Sequence, residues 1–404
     1  MPFRAPSAVA QRSAMQFASV SGGLQPWLQP RDFPSIREPD DDDWPRGKGQ
    51  TYENYLASNP QRVASTTRNP RSRKLALAQG RQKIYIMPLT KGRQDLDAFP
   101  DLDALAAGVA AFYGLEVAVL PMITLKQLEA GGTPIRTRHR GAQYHAGDIN
   151  ANLISKLPSD GLTLCAVTML DVWKGDMNYL FGLAFLQAHV GCFSFHRHQP
   201  NSPDCEFFHG SLELQPGDDH VLLRRGFQTL SHELGHTFGM KHCVYFSCLM
   251  QGANSLTEAE SRMPDLCPVC LRKLLWATRR ESGEAVRRRY ERLLAFFESR
   301  PAGFEKHLAW VRSRLGVAPP SEKATADGRT DGAEEIGEED KDEDEDEEPE
   351  ERALRRLEET SKDVADTISK IETFHEIGTK ELVEAKTLRK LFAAEGVRCE
   401  PCAA

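Results

Sequence analysis

Residues 229–270 read TLSHELGHTFGMKHCVYFSCLMQGANSLTEAESRMPDLCPVC, and this stretch determines how the rest of the chain is interpreted. It begins with two histidines four positions apart, His232 and His236, and Glu233 directly follows the first of them. On an α-helix, residues four apart lie on one face, about one turn from each other. Both imidazoles can therefore point at one metal ion. The spacing predicts a helix that carries a metal site.

The residues after this helix predict a third metal ligand. Gly239 tolerates a positive φ angle, so the helix can end there and the chain can turn back toward His242. Three histidines suit a catalytic zinc ion, whose fourth tetrahedral position is left for water. Glu233 is then the candidate general base that takes a proton from that water. We expect Met250 to have a structural role, either as an apolar floor under the imidazoles or as ordinary core.

The cysteines of the same stretch predict a second metal site. Cys243 and Cys248 form one pair, and Cys267 and Cys270 form a CxxC pair. Four thiolates in two pairs fit a closed tetrahedral zinc site that stabilises the fold; the alternative is four buried free thiols. Because adjacent side chains diverge, His242 and Cys243 should bind different ions. The structural zinc would then fix the turn that presents His242.

Taken together, this pattern resembles the archaemetzincin family of metzincin-type zinc metallopeptidases. The family motif is HExxHxxGxxHCx₄CxM followed by CxxC, and the matching positions are His232, Glu233, His236, Gly239, His242, Cys243, Cys248, Met250, Cys267 and Cys270. The resemblance implies an α+β (α/β-like) fold with a twisted mixed sheet, an active-site helix and a Met turn. It also implies peptidase or aminopeptidase activity, two zinc ions per chain, and a cytoplasmic or nuclear enzyme.

The same resemblance makes two further statements about the cleft. It places Phe181–Gly182 and Val190–Arg197 above the cleft, with the strand VGCFSF as an edge strand that pairs with an extended substrate. Some metzincins have a tyrosine two residues after the methionine, whereas Gly252 occupies that position here. The residue that stabilises the oxyanion is therefore left unassigned.

Elsewhere the chain predicts alternating strands and helices. Continuous apolar runs are typical of parallel strands covered on both faces. The expected strands are Lys83–Leu89, Leu115–Ile123, Leu162–Leu170 and Val190–Phe195, and the expected helices are Leu102–Tyr113, Asp148–Lys156 and a helical region from residue 270 to about Leu315 with a break at Pro301–Gly303. A short helix is also predicted around Thr51–Ala57.

Composition predicts four segments. Residues 1–78 are expected to be a mostly disordered arm, 79–317 the metallopeptidase domain, 318–351 an acidic disordered linker, and 352–404 a helical tail with a short coiled coil. A lone amphipathic helix is an equally good interpretation of the tail. Its closing pair, Cys399 and Cys402, has no assigned role. The acidic linker and the coiled coil are candidate sites for a protein partner.

Charge and cysteine content bear on partners and location. The 404 residues carry a net charge of −7, but Glu334–Glu351 alone contributes −13, which leaves +6 on the remainder. We expect no nucleic-acid partner, because the basic cluster Arg287–Arg289 suits a solvated helix face. No apolar run approaches the roughly 18–20 residues of a membrane-spanning helix, so a soluble protein and no membrane partner are expected. The odd count of nine cysteines, without a secretory signal, favours the cytoplasm or nucleus; an acid-free, arginine-containing start leaves mitochondria as an alternative.

The predicted function is hydrolysis of peptide bonds in a peptide or protein substrate. Two other classes remain open at this point. One is a catalytically weak or inactive zinc-bearing module that binds peptides, which the missing tyrosine motivates. The other is a nucleic-acid or interaction protein, which the +6 remainder and the CxxC pairs motivate.

Overall fold

The computed structural model describes residues 5–36, 49–58, 83–92, 98–128, 135–138, 141–185 and 188–318. The acidic linker, the predicted coiled coil and the pair Cys399 and Cys402 lie outside these residues. The prediction of two terminal segments after residue 318 therefore stays a prediction.

Nine strands form in the described residues: β1 Lys83–Thr90, β2 Glu116–Val119, β3 Ile123–Thr124, β4 Ile135–Arg138, β5 Gly141–His145, β6 Gly161–Thr168, β7 Asp171–Trp173, β8 Gly182–Phe185 and β9 Val190–Ser194. The main sheet has the order β2-β1-β6-β9-β8, and β3 also pairs with β1. β1, β2, β6 and β9 run parallel, and β8 is antiparallel to β9. Parallel pairing of the apolar runs is thus confirmed, within a mixed sheet.

The order of the sheet corrects one expectation. β9, the strand of the VGCFSF segment, lies between β6 and β8, so it is an interior strand. The edge strand is β8, which begins at Gly182. Local sequence could not distinguish the interior strand from the edge strand. Both are short and apolar, and their positions in the sheet depend on pairing with strands that are distant in sequence.

A second, smaller sheet was not predicted. It has the order β4-β5-β7, with β4 antiparallel and β7 parallel to β5. Its strands are polar and short, so they lack the alternating apolar pattern by which a strand is recognised. Polar side chains join it instead: Gln143 Nε2 donates to Asp171 Oδ2 at 2.7 Å, and Arg197 makes an ion pair with the same carboxylate at 2.8 Å.

The helices are α1 Ala8–Ala14, α2 Tyr52–Ser58, α3 Leu102–Tyr113, α4 Ala146–Leu153, α5 Asp218–Thr237, α6 Leu256–Ser261, α7 Pro268–Ala277, α8 Gly283–Ser299 and α9 Glu305–Leu315. Gly114 follows α3 with φ +66°, as expected for the residue after a helix. Gly303 adopts φ +80° in the predicted break between α8 and α9. Across the part of the chain described here, no helix has the length and apolar character to cross a membrane.

The three C-terminal helices are tied together by a buried ion pair. Asp265, just before α7, accepts from Arg289 Nη2 at 2.6 Å, from Tyr290 Oη at 2.9 Å and from Trp310 Nε1 at 3.1 Å. Arg289 is only 3% exposed. The interpretation of Arg287–Arg289 as a wholly solvated face is therefore wrong for Arg289, whose charge is neutralised by a carboxylate distant in sequence.

Part of the N-terminal arm is ordered, which differs from the expectation of disorder. Residues 5–36 and 49–58 include α1 and α2, and the helix predicted around Thr51–Ala57 is confirmed as α2. Met15, Leu28, Phe33 and Tyr55 are buried in the main apolar core. These side chains have no regular spacing, so the sequence alone gave no sign that they dock on the domain.

Candidate active site

Helix α5 carries the first half of the site. Its last turns include His232, Glu233 and His236, all buried. The helix ends at Thr237, and Gly239 adopts φ +87° directly afterwards. The chain therefore turns back where the motif predicted, toward His242.

The structure brings the three histidines together. One ring nitrogen from each of His232, His236 and His242 can be chosen so that all lie within 4.8 Å of one another. The ring centroids are 4.8 to 5.3 Å apart. All three rings meet at a single point of the cleft.

Hydrogen bonds fix the proton positions on two of these rings. His232 Nδ1 donates to the Leu249 carbonyl at 2.6 Å, and His236 Nδ1 donates to the Met240 carbonyl at 2.7 Å. Each Nε2 then carries a lone pair, yet the two Nε2 atoms face each other at 3.1 Å. Two lone pairs at that distance repel unless a cation lies between them.

These donors fit zinc. A tetrahedral ion with Zn–N bonds of about 2.0–2.1 Å separates its ligand nitrogens by roughly 3.3 Å. Burial lowers the pKa of all three histidines, and that of His236 falls to about 4. Metal binding requires neutral imidazoles, so the environment keeps the rings in the form that coordinates zinc.

Glu233 is the carboxylate beside this point. It is 9% exposed, and burial raises its pKa to about 7. Gly182, at the start of β8, leaves space for the Glu233 side chain, because a Cβ atom on Gly182 would lie 2.8 Å from Glu233 Cδ. The edge strand and the candidate base are thus in direct contact.

Met250 lies against the helix from below. It is completely buried, and a Cβ atom on Gly235 of α5 would overlap its sulfur. The Met250 carbonyl accepts from Cys243 N at 2.8 Å. Met250 therefore sits beneath the turn of helix between the two histidines, which is where a floor for the site would be.

The four motif cysteines form a second cluster. Their sulfur atoms lie within 4.8 Å of one another, and Cys243 Sγ is 3.6 Å from Cys267 Sγ. Cys248 Sγ accepts from two backbone amides, Met250 N at 3.4 Å and Cys267 N at 3.2 Å. Backbone donors stabilise a thiolate, but burial raises the pKa of Cys248; hydrogen bonds from the other three cysteines lower the pKa of Cys243, which favours the thiolate form that binds metal. The cluster is fully buried and fits a closed structural zinc site.

Sequence reasoning missed a contact that holds the turn before His242. Gln50, in the N-terminal segment, donates from Nε2 to the Gly239 carbonyl at 3.1 Å and accepts at Oε1 from Lys241 N at 3.0 Å. Tyr55 Oη donates to the Phe238 carbonyl at 2.7 Å. The buried Lys273 ammonium donates to the Gln50 carbonyl at 2.5 Å. Gln50 thus connects the ordered arm, the metal-presenting turn and α7.

We expect Gln50→Ala to loosen this turn. The change removes the hydrogen bonds that Gln50 makes to the Lys241 amide and the Gly239 carbonyl, at a cost of about 1–3 kcal/mol in unfolding free energy. Thermal unfolding and the rate of zinc transfer to a chelator measure the effect. Asn54→Ala, an exposed change in the same segment, is the matched control. Equal stability and equal zinc release for both variants would contradict the role given to Gln50.

A cleft of about 430 Å³ lies over the three histidines. Its lining comes from the segment leading into β8, from α5 and the turn after it, and from the residues after Met250: Asp176–Gly182, Thr229, His232, Glu233, His236, His242, Ala253, Asn254, Ala259 and Arg262. Arg262 is the second residue that sequence reasoning missed, because it belongs to no motif. The cleft is large enough for several atoms of a peptide beside the candidate base.

Comparison with known proteins identifies the relatives of this chain. The family model of Peptidase family M54 matches residues 147–275. Archaemetzincin-2 of Macaca fascicularis is 34% identical over 212 residues, which are 48% of this chain and 57% of that protein. Archaemetzincin-2 of Homo sapiens is 35% identical over 207 residues, or 47% of this chain and 56% of that protein. The chain therefore spans about half the length of the curated relatives that it matches.

Solved structures of similar proteins carry the same family name. Archaemetzincin from Archaeoglobus fulgidus, complexed with malonate, is 25% identical and is matched over 47% of this chain and 99% of its own, with a TM-score of 0.34. Archaemetzincin from Methanopyrus kandleri is 24% identical over 50% of this chain and 98% of its own, with a TM-score of 0.37. The resemblance to the archaemetzincin family is confirmed by the family match and the curated relatives.

Proposed function

We propose, from its match to Peptidase family M54, that this chain is a zinc-dependent metallopeptidase that hydrolyses peptide bonds. One observation carries the proposal: two imidazole nitrogens with lone pairs face each other at 3.1 Å, and a third histidine and Glu233 stand beside them. Among the described residues, the other group of three or more possible metal ligands is the cysteine cluster, which contains no carboxylate.

The chain's own residues would do the following work. His232, His236 and His242 would hold the ion, which when bound supplies a Lewis acid for the peptide carbonyl and lowers the pKa of water to about 7. Glu233 takes a proton from the attacking water and gives it to the leaving amine. A carboxyl group with a pKa of about 7 can both accept and release a proton near neutral pH.

An extended substrate would lie along the edge strand β8. The segment Tyr179–Gly182, which leads into this strand, lines the cleft next to Glu233. Backbone hydrogen bonds to a sheet edge give affinity that does not depend on sequence, so side-chain specificity must come from the cleft walls. This arrangement replaces the pairing with β9 that the family resemblance first implied.

Several finer features belong to the same proposal. We place two zinc ions in the chain, one catalytic and one structural, the latter held by Cys243, Cys248, Cys267 and Cys270. The seven cysteines of the described residues are free, which supports the cytoplasm or nucleus over an oxidising compartment. Mitochondria remain the alternative location, and the acidic linker and tail remain candidate partner-binding segments. Aminopeptidase action is the narrower alternative to cleavage within a chain.

A peptide library tests the proposal directly. The zinc-loaded protein and a chelator-treated sample are incubated with the library, and products are identified by mass spectrometry. We expect cleavage in the first sample alone, and its position relative to the amino terminus distinguishes an aminopeptidase from an endopeptidase. Retention of peptides by the zinc-loaded protein without any cleavage would instead support the inactive binding module.

A further inference from the structure

Arg262 is a buried cation in the cleft wall. It follows α6 directly, lines the cleft and is 9% exposed. Its Nη1 lies 3.4 Å from His232 Nδ1, so the guanidinium stands next to the first histidine of the metal site. Nothing in the proposed hydrolytic chemistry has so far required a positive charge at this position.

Arg262 has no hydrogen-bond acceptor among the described residues. Its Nε is buried without a partner. Arg262 Nη1 approaches His232 Nδ1, but that nitrogen already donates its proton to the Leu249 carbonyl and so cannot accept another. Within the described ranges, no carboxylate oxygen comes within 4.0 Å of the guanidinium. Glu233 acts on it electrostatically but makes no ion pair with it.

The other three buried arginines of the described residues, unlike Arg262, all donate to acceptors. Arg225 donates to Glu260 at 2.8 Å and to the His198 carbonyl at 2.8 Å. Arg289 donates to Asp265, and Arg272 donates to backbone carbonyls of the N-terminal arm. A buried charge without a partner is costly, so it is normally paired in the folded protein.

The guanidinium of arginine is protonated throughout the physiological pH range. The charge therefore stays in the cleft wall, with several donor groups and no acceptor among the described residues. An anion that enters the cleft would satisfy both the charge and the donors.

We propose that Arg262 binds a carboxylate of the substrate, so that the cleft selects peptides with a carboxylate close to the bond that is cut. A guanidinium matches the planar, bidentate geometry of a carboxylate. Two sources have this chemistry, an Asp or Glu side chain and the free carboxy terminus of a short peptide. This inference rests on the proposed peptidase function and names its substrate class.

The position of Arg262 limits where that carboxylate can be. Its Nη1 is 3.4 Å from the ring of His232, whose other nitrogen faces the candidate metal position. An extended chain advances about 3.3–3.6 Å per residue. The recognised carboxylate therefore belongs to a residue no more than about two positions from the bond that is cut.

The test measures binding in a variant whose peptide turnover is expected to be strongly reduced. Zinc-loaded Glu233→Gln is incubated with amidated and free-acid random peptide libraries, and retained peptides are identified by mass spectrometry. The best binders are resynthesised in two further forms, with Asp and Glu replaced by Asn and Gln, and with the carboxy terminus amidated. Dissociation constants are measured by calorimetry, and zinc content is measured on every sample.

We expect the carboxylate form to bind about 10- to 100-fold more tightly than its amide counterpart, as for hydrogen bonds to a charged group. Whichever amide replacement abolishes the preference identifies the source. When Arg262→Met, which keeps the apolar stem, is added, the carboxylate and amide forms should bind about equally. Arg262→Lys should keep part of the preference for the carboxylate form. Arg288→Met removes the same charge from an exposed face of α8 and should leave the preference intact.

Two results would overturn the inference. One is equal binding of carboxylate and amide forms by the Glu233→Gln protein. The other is a preference that survives Arg262→Met while zinc content is unchanged. If Arg262→Met alone abolished peptide hydrolysis but left the preference for the carboxylate form unchanged, Arg262 would be assigned to the oxyanion, and the inference would also be overturned. Failure of the wild-type protein to cleave peptides, with the preference present, would count against the peptidase function alone.

Discussion

Replacing Glu233 with glutamine is expected to lower kcat/KM for peptide hydrolysis by about 10² to 10⁴-fold while the protein keeps its zinc. Glutamine has the size and shape of the glutamate but cannot accept a proton, and a positioned general base contributes rate factors of this order. The three imidazoles are untouched, and their hydrogen bonds to Leu249 and Met240 do not involve Glu233. Hydrolysis rates on a library-derived peptide, with zinc measured on the same samples, give the result.

The matched control for this change is Glu213→Gln. Glu213 is exposed and lies before α5, outside the cleft. The Glu213→Gln substitution removes the same charge and should leave the rate of peptide hydrolysis within about twofold of wild type, as expected for a surface substitution. A Glu233→Gln protein that hydrolyses peptide at the wild-type rate with zinc bound would remove Glu233 from the mechanism.

Replacing Cys270 with serine is expected to cost both the structural metal and the activity. A serine hydroxyl is a poor ligand beside three thiolates, and binding of structural zinc is worth about 10–16 kcal/mol in small zinc peptides. Losing even part of this binding free energy is comparable with the roughly 5–15 kcal/mol of unfolding free energy that keeps an ordinary domain folded. The cysteine cluster includes Cys243, which is joined directly to His242. The turn that presents the third histidine should therefore loosen as well.

Zinc content and thermal unfolding of the purified protein measure this effect. The variant should hold less than one zinc ion per chain, unfold at a markedly lower temperature and show no hydrolysis. Cys205→Ser is the control, since Cys205 is a buried free thiol outside the cluster, and it should retain both ions. A Cys270→Ser protein with wild-type stability and two zinc ions would show that the four cysteines do not share a metal.

The parts of the fold that the sequence predicted are those set by local pattern. β1 and β6 are continuous apolar runs because both of their faces are covered, and α5 follows from the spacing of His232 and His236 with a glycine after its end. The turn at Gly239 was predicted for the same reason, since the positive φ angle there suits glycine. In these elements the neighbours along the chain determine the structure.

The parts that were missed depend on contacts between distant residues. The strands β4, β5 and β7 are joined by polar groups such as Gln143 and Asp171, which resemble loop residues when read singly. The docking of the N-terminal arm uses scattered apolar side chains and Gln50. Arg262 has no motif around it, and its importance lies in the acceptor that it lacks, which only the packed structure reveals. A count of ionisable residues gives no such signal.

The number of zinc ions in the intact protein shows most directly whether the three histidines hold a metal. Native mass spectrometry of the wild-type chain, produced with ample zinc, should show two ions per chain, and the His236→Ala variant should show one, because the cysteine cluster is unaffected. Two ions in both proteins, or no transition metal in the wild type, would contradict the proposal that these histidines converge on a catalytic zinc.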